Sequence, residues 1–314
     1  MAKKIITVFG ATGAQGGGLA RAIVGDKSGE YTLRAVTRKP DSDAAKSLKA
    51  AGAEIAIADM DDAASVARAM QGAYGAFCVT NFWEHFSPDR ELAQAKAMAD
   101  GAAAAGVKHV VWSTLEDTRA FFPADGARMP VLMGKYNVPH FDAKGEANRY
   151  FVGRVPTTLA NTSFYWDNLI HFGMGPKKGP DGTLAITFPM ADKRLSGIAA
   201  EDIGKCMYGI FKGGLANVGK TFGLAGEHIT GAQMAAALTQ ALGQPVKYNA
   251  VTPEQYRGFG FPGAEDLGNM FQFYAEFEDY FTGARPISVA RQLNPDLQDF
   301  AAFVARNKDR IPLS

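Results

Sequence analysis

The sequence predicts an α/β fold: a Rossmann-type doubly wound parallel sheet with a smaller α+β C-terminal domain. Two observations carry this. Short apolar runs alternate with helix-forming segments through the first half of the chain, which is the sequence form of linked βαβ units. The first of these runs, Ile5 to Phe9, leads directly into Gly10-Ala11-Thr12-Gly13-Ala14-Gln15-Gly16-Gly17. A glycine-spaced turn between a first strand and a first helix is the place where such folds receive a phosphate.

Each element then follows in order. The first helix is expected over about 15–24 and a second strand over 31–37. Residues 41–51 read as a helix with Asp and Ser as cap candidates and Gly52 as its stop. Strands are expected at 54–58, 75–80 and 109–114, and helices at 62–71 and 88–105. A further helix begins near Pro139. Beyond Asn161 the pattern is less regular, with Gly and Pro concentrated at 173–182. Residues 200–211 and 230–242 look helical, 246–251 looks like a strand, and Thr252-Pro253-Glu254-Gln255 has the form of a helix start. The aromatic run at 271–281 suits the core of the second domain, or else a wall over the cofactor cleft or a partner surface. The dinucleotide-binding domain is placed at 1–160, with segments around 183–225 returning to it. The smaller domain takes 161–182 and 226–314.

The 314 residues carry a net charge of +1, which gives no argument for nucleic-acid binding or a membrane surface. Cys78 and Cys206 lie in apolar runs and read as buried thiols of a reducing compartment. Met1-Ala2-Lys3-Lys4 leads directly into the first strand with neither signal-peptide pattern nor membrane span, so a cytoplasmic location is expected. His85, His109, His171 and His228 show no paired ligand spacing, and no metal is assigned.

The turn itself has a defined chemistry. Gly10, Gly13 and Gly16 let the backbone approach a ligand, and the helix N-terminus offers free N–H groups to a pyrophosphate. Thr12 and Gln15 lie in the same turn. After the second strand comes Arg38-Lys39-Pro40, with no carboxylate before Asp41. An acidic residue there would select NAD, whereas a guanidinium pairs with a 2′-phosphate. Arg38, assisted by Lys39, therefore favours NADP(H); the alternative is two solvated loop charges. Asp59 and Met60 follow the third strand, at the expected adenine edge. Thr80, Asn81 and Phe82 follow the fourth, where the ribose would pass.

Ser113 ends the fifth strand, and His140-Phe141-Asp142-Ala143-Lys144 lies on the next helix. Short-chain dehydrogenases use a Ser, a Tyr and a Lys four residues after the Tyr as their catalytic group; Ser113 stands at the place of that Ser, and the phenol gives a proton to the reduced carbonyl. Here the Tyr position is His140, either a proton donor or a helix cap. Lys144 is the expected ribose ligand.

Together these residues resemble the NmrA-like family, an atypical branch of the short-chain dehydrogenase/reductases, over nearly the whole chain. The resemblance rests on the glycine turn, Val79-Thr80-Asn81-Phe82-Trp83-Glu84, the His140–Lys144 motif, and the stretch from Gly260 to Ala275. That last stretch is similar to the family's NADPH-sensing subgroup. The resemblance implies NADP(H) held by the glycine turn, Gln15, Arg38 and Lys144. Tyr165 and Asn168, in the segment 159–168, join the cofactor site by the same resemblance. Asn161 and Ser163 there replace the family's usual Arg and Pro, and 121–136 is long enough to form a lid.

Two functions follow from the resemblance. The preferred one is an NADPH redox-sensing regulator with little turnover and a regulatory protein partner. The other is a reductase of a small hydrophobic quinone, carbonyl or dye, received by Phe82, Trp83, Phe164, Tyr165 and Trp166. A Rossmann domain that has lost its cofactor ranks last. A homodimer is left open.

Overall fold

The first strand, β1 (Lys4–Val8), is an interior strand of a seven-stranded sheet. The computed structural model describes residues 3–27, 29–179 and 181–313; the first two residues of the N-terminal lead-in and Pro180 of the Gly/Pro-rich stretch lie outside the described residues. From β1 the chain runs through α1 (Ala14–Gly25), β2 (Tyr31–Thr37), α2 (Asp43–Ala50), β3 (Glu54–Ile57), α3 (Ala63–Met70) and β4 (Gly75–Cys78). It continues with α4 (Pro88–Ala104), β5 (His109–Thr114), α5 (Pro139–Phe151) and β6 (Thr157–Asn161). The strand order is β11-β6-β5-β4-β1-β2-β3, with β11 (Thr221–Gly223) added from much later in the chain. Every pairing in this sheet is parallel. The order reverses at β1, between β2 and β4, and the crevice at the carboxyl ends of such strands is where ligands bind in this architecture.

Two apolar layers cover the sheet. On one face α1 packs against α7 (Ala200–Lys212) through Leu19, Ile203, Met207 and Ile210. On the other, α3, α4 and α5 bury Val66, Met70, Met98 and Phe151, the last stacked on Trp112.

The remaining chain forms two three-stranded sheets around a separate aromatic core. After β7 (Phe164–Tyr165), α6 (Asn168–His171) and β8 (Lys177–Lys178) come β9 (Leu184–Phe188) and β10 (Arg194–Ile198). Then follow β12 (Glu227–Thr230), α8 (Gly231–Leu242), β13 (Val246–Ala250), α9 (Pro253–Arg257) and α10 (Ala264–Glu276). The chain ends through α11 (Glu278–Gly283), α12 (Ile287–Leu293) and α13 (Phe300–Asn307). One sheet is β12-β10-β7 and the other β13-β9-β8. Of the segment 183–225, α7 and β11 thus lie on the large sheet, while β9 pairs with β13.

The aromatic run at 271–281 is mainly core. Phe271, Phe273, Tyr274 and Phe281 are buried together, and the helix breaks at Phe277 (φ −114°). The segment 121–136 is strapped to α10: Gln272 Nε2 donates to the Arg128 carbonyl at 2.9 Å and Asn269 Nδ2 to that of Pro130 at 2.9 Å. Phe122 and Met129 are buried beneath it, so it is packed as part of the second core. Among the described residues no helix is long and apolar enough to cross a membrane.

Candidate cofactor and substrate cleft

A cavity of about 850 Å³ opens at the carboxyl ends of β1, β2 and β4. Its floor is the glycine turn. Gly10 has φ +65°, a conformation that side-chain-bearing residues rarely adopt, and its carbonyl accepts from Gly13 N at 2.8 Å. A Cβ on Gly16 would stand 2.3 Å from that same carbonyl oxygen, so only glycine lets α1 begin so close to β1. Gly13 caps α1 without a side-chain bond, and no acidic residue lies in its first turn. The helix's free N–H groups therefore face the cleft with no carboxylate competing for them. This cradle fits a dinucleotide pyrophosphate.

Around it the cleft wall includes Gly10, Thr12, Gly13, Gln15 and Gly16 from the turn, and Arg38, Lys39 and Met60 from the loops after β2 and β3. Thr80, Asn81 and Phe82 enter after β4, His140 and Lys144 from α5, and Tyr165 and Asn168 from the strap after β6. Three expected residues stand outside the wall. Asp59 spends its groups locally: its carbonyl accepts from Ser65 Oγ at 3.0 Å and its carboxylate from Asp61 N at 3.0 Å. Ser113 lies behind Gln15, donating to Gln15 Oε1 at 2.8 Å. Trp166 is also absent from the wall, because it is buried against Phe300 and Phe303.

The polar side of the cleft is a connected network. Gln15 Nε2 donates to the Tyr165 hydroxyl, which links the turn through Gln15 to both Ser113 and the strap. Burial pushes the Tyr165 phenol up to about 12. Lys144 Nζ gives all three protons to protein: 3.0 Å to the Thr80 carbonyl, 2.6 Å to Thr80 Oγ1 and 2.6 Å to Glu91 Oε1. Glu91, on α4, is fully buried. Burial alone would raise its carboxyl, but the Lys144 charge, the nearby His85 and the hydrogen bonds from Lys144 and Thr80 outweigh this and hold it at about 2. Nothing in the sequence singled out Glu91, which lies in an Ala-rich helix with no motif around it.

His140 and Lys144 are fixed by the way α5 begins. Asp142 reaches back, its two oxygens accepting from Thr118 N (2.7 Å), Asn137 N (2.8 Å) and Val138 N (3.1 Å). His140 then meets the second core: its Nδ1 lies 2.6 Å from Asp266 Oδ1, and its backbone N donates to Asp266 Oδ2 at 3.3 Å. Asp266 is in the first turn of α10 and was also missed in the sequence, being separated from His140 by more than a hundred residues. The far end of the cleft is apolar, walled by Phe82, Trp83, Phe164, Phe261, Met270 and Tyr274. Ser163 Oγ, in the same wall, is buried and has no hydrogen-bond partner among the described residues.

A doubly wound sheet with a glycine cradle at its switch point defines the nucleotide-binding class of α/β proteins. The chain belongs to the NmrA-like family, whose pattern it matches over residues 2–304. It is 31% identical to the NmrA-like family domain-containing oxidoreductase FrzB of Cladobotryum sp., over 86% of this chain and 83% of that protein. In fold it is similar to NmrA, a negative transcriptional regulator whose structure was solved in complex with NADP: TM-score 0.78, 24% identity, covering 97% of this chain and 95% of that one. The triphenylmethane reductase of Citrobacter sp., complexed with NADP(H), also shares the fold: TM-score 0.72, 17% identity, covering 96% and 99%.

Proposed function

We propose that this protein is an NADP(H)-dependent reductase of a flat, apolar acceptor. One observation carries the reading: the phosphate cradle and the apolar chamber are two ends of one cavity, and His140 and Lys144 stand between them. The glycine turn would hold the pyrophosphate and Arg38 with Lys39 the 2′-phosphate. Met60 would lie at the adenine, Thr80 to Phe82 at the ribose, and Lys144, Gln15, Tyr165 and Asn168 at the nicotinamide end. Bound there, the cofactor supplies a hydride. The chain supplies the rest: an apolar wall that excludes water and polar groups that orient the acceptor. The oxidoreductase name of its Cladobotryum relative agrees with this.

A second reading is the redox-sensing regulator, favoured by the His at the usual tyrosine position and by a Lys144 whose donors are all engaged within the protein. The likeness in fold to a transcriptional regulator points the same way. Titration with NADPH followed by single-turnover absorbance against quinones, aldehydes, ketones and dyes separates the two. Oxidation of bound NADPH by one acceptor class is the expected result. Tight binding with no oxidation by any acceptor would replace the reductase by the sensor. A dissociation constant weaker than about a millimolar would remove both.

A further inference from the structure

We propose that His140 and Asp266 form a proton-delivery pair, and that the acceptor is therefore an apolar carbonyl compound, whose reduction needs a proton at oxygen. The proposal rests on the reductase reading and narrows its substrate class.

The geometry has three parts. First, Asp266 Oδ1 is 2.6 Å from His140 Nδ1, and a carboxylate only accepts, so Nδ1 carries the hydrogen. That leaves Nε2 as the outward nitrogen, and among the described residues no group bonds it. Second, His140 lines the cleft while its partner comes from α10 of the second core, so the pair exists only when the two cores are docked. Third, the ring is held in place on its other sides by aromatic contacts: its centroid is 4.7 Å from Trp83, 4.9 Å from Phe141 and 6.1 Å from Phe82. The charged groups around it are Asp266 from α10 and Lys144 one turn further along α5, itself paired with Glu91 of α4. The turn after β4 presents the rings of Phe82 and Trp83 to it. A histidine held by a carboxylate at one nitrogen and free at the other is the arrangement by which an imidazole moves protons.

The step balances as follows. A carbonyl takes a hydride at carbon, its C=O π pair moves to oxygen, and that oxygen takes the proton from Nε2 of the imidazolium. The carbonyl is reduced to an alcohol, NADPH is oxidised to NADP⁺, and His140 is left neutral with its hydrogen on Nδ1 facing Asp266. Solvent returns the proton. Asp266 is a positioning residue, since it acts only through the ring. A cationic triphenylmethane dye differs in one respect: hydride at its central carbon completes the reduction, and no proton is required.

That difference supplies the test. Single-turnover oxidation of bound NADPH is followed with an aryl aldehyde and with a cationic triphenylmethane dye, in the wild type, His140→Phe, His140→Tyr and Asp266→Asn. The expected result is an aldehyde rate that falls about 100-fold or more further than the dye rate in His140→Phe, with partial recovery of the aldehyde rate in His140→Tyr. Asp266→Asn should lower the aldehyde rate selectively. A second readout needs no turnover: ¹⁵N spectra of the histidine rings in cofactor-free protein should show the His140 hydrogen on Nδ1, and Asp266→Asn should abolish that preference. Equal losses with both acceptors, an aldehyde rate untouched in His140→Phe, or a hydrogen on Nε2 alone would overturn the proposal. A wild type that reduces only the dye would overturn it while leaving the reductase reading in place; one that reduces neither acceptor nor any other would end both.

Discussion

Arg38 Nη2 lies 2.5 Å from Glu84 Oε1, joining the loop after β2 to the turn after β4 and so bridging the two strands that flank β1. The guanidinium assigned to a 2′-phosphate is thus already paired with a carboxylate of the same sign as that phosphate. A phosphate entering there must displace Glu84, whereas a cofactor without the 2′-phosphate has no such competition. Both side chains are well exposed, and such pairs are worth about 0–1 kcal/mol. Glu84→Gln should therefore tighten NADPH binding by up to about fivefold and leave NADH binding unchanged. Arg38→Ala should weaken NADPH binding by about tenfold or more and NADH binding far less. Calorimetric titration of both cofactors checks each variant; equal shifts for the two cofactors would remove Arg38 and Glu84 from phosphate selection.

Glu91 makes a prediction about acid. Its carboxyl is held at about 2, below the 4.5 it has when unfolded, so the pair with Lys144 contributes in full above pH 4.5 and is lost as the pH falls through about 2. Glu91→Gln should cost about 3 kcal/mol at pH 7, because it leaves Lys144 buried without its counter-charge. The same variant should lose less stability than the wild type between pH 4.5 and 2. His109 acts in a different window: burial holds it at about 4 against 6.5 unfolded, so protonation of the unfolded chain weakens both proteins alike between those values. Urea unfolding at pH 7, 4 and 3 measures the difference; parallel curves for the two proteins would show that Glu91 is not the titrating group.

The parts of the fold that were legible in the sequence are those written in local pattern. The strand–Gly10–α1 unit, the run of βαβ units up to β5 and the capped starts of helices follow from periodicity and caps within a few residues. The Thr252 capping box forms as expected, and Thr230 forms a second one with Gln233. Local pattern does not carry β11, which joins the large sheet from 60 residues beyond its neighbour β6, with only three residues of its own. The site divides in the same way. Residues that a backbone turn presents, such as Gly10, Gln15 and Arg38, were visible because the turn is a motif. Glu91, Asp266 and Glu84 were not, because each matters through a partner brought to it by the tertiary fold. Asp59 stands apart for the opposite reason: it follows β3 directly, but its carbonyl and carboxylate bond to Ser65 and Asp61.

Close packing of α1 on α7 depends on glycine at a position where no motif marks it. A Cβ on Gly204 would stand 2.2 Å from Leu19 N, a backbone atom that cannot step aside without moving α1. Since α1 starts at the glycine turn, any such shift reaches Gly10 and Gly16. Gly204→Ala should cost about 2–3 kcal/mol and weaken NADPH binding in the same variant. Gly25→Ala is the control: nothing lies within 4 Å of its added Cβ, so stability should be unchanged or raised by about 0.5 kcal/mol. Thermal melts with and without NADPH test both substitutions, and an unperturbed Gly204→Ala would mean that the helices separate freely.

Arg285 holds the strap after β6 in place. It is fully buried, forms a two-bond pair with Glu116 (2.7 and 2.8 Å) and donates through Nε to the Thr162 carbonyl at 2.9 Å. Its guanidinium also lies 3.5 Å from the centroid of the Phe281 ring. Thr162 precedes Ser163, Phe164 and Tyr165, so this one side chain ties the cleft wall to the loop after β5 and to the second core. Lysine has no planar fork and could not make the two parallel bonds together with the third to Thr162. Arg285→Lys should therefore destabilise the protein, and Arg285→Met should do so by about 3–5 kcal/mol, since it strands a buried carboxylate. Adding Glu116→Leu to Arg285→Met should restore much of that loss, because the uncompensated charge is gone. The Thr162 carbonyl would still lack its donor, so the double variant should regain stability while binding NADPH more weakly than wild type. A double variant as unstable as Arg285→Met alone would show that the arginine acts through packing on Phe281 and not through its charge.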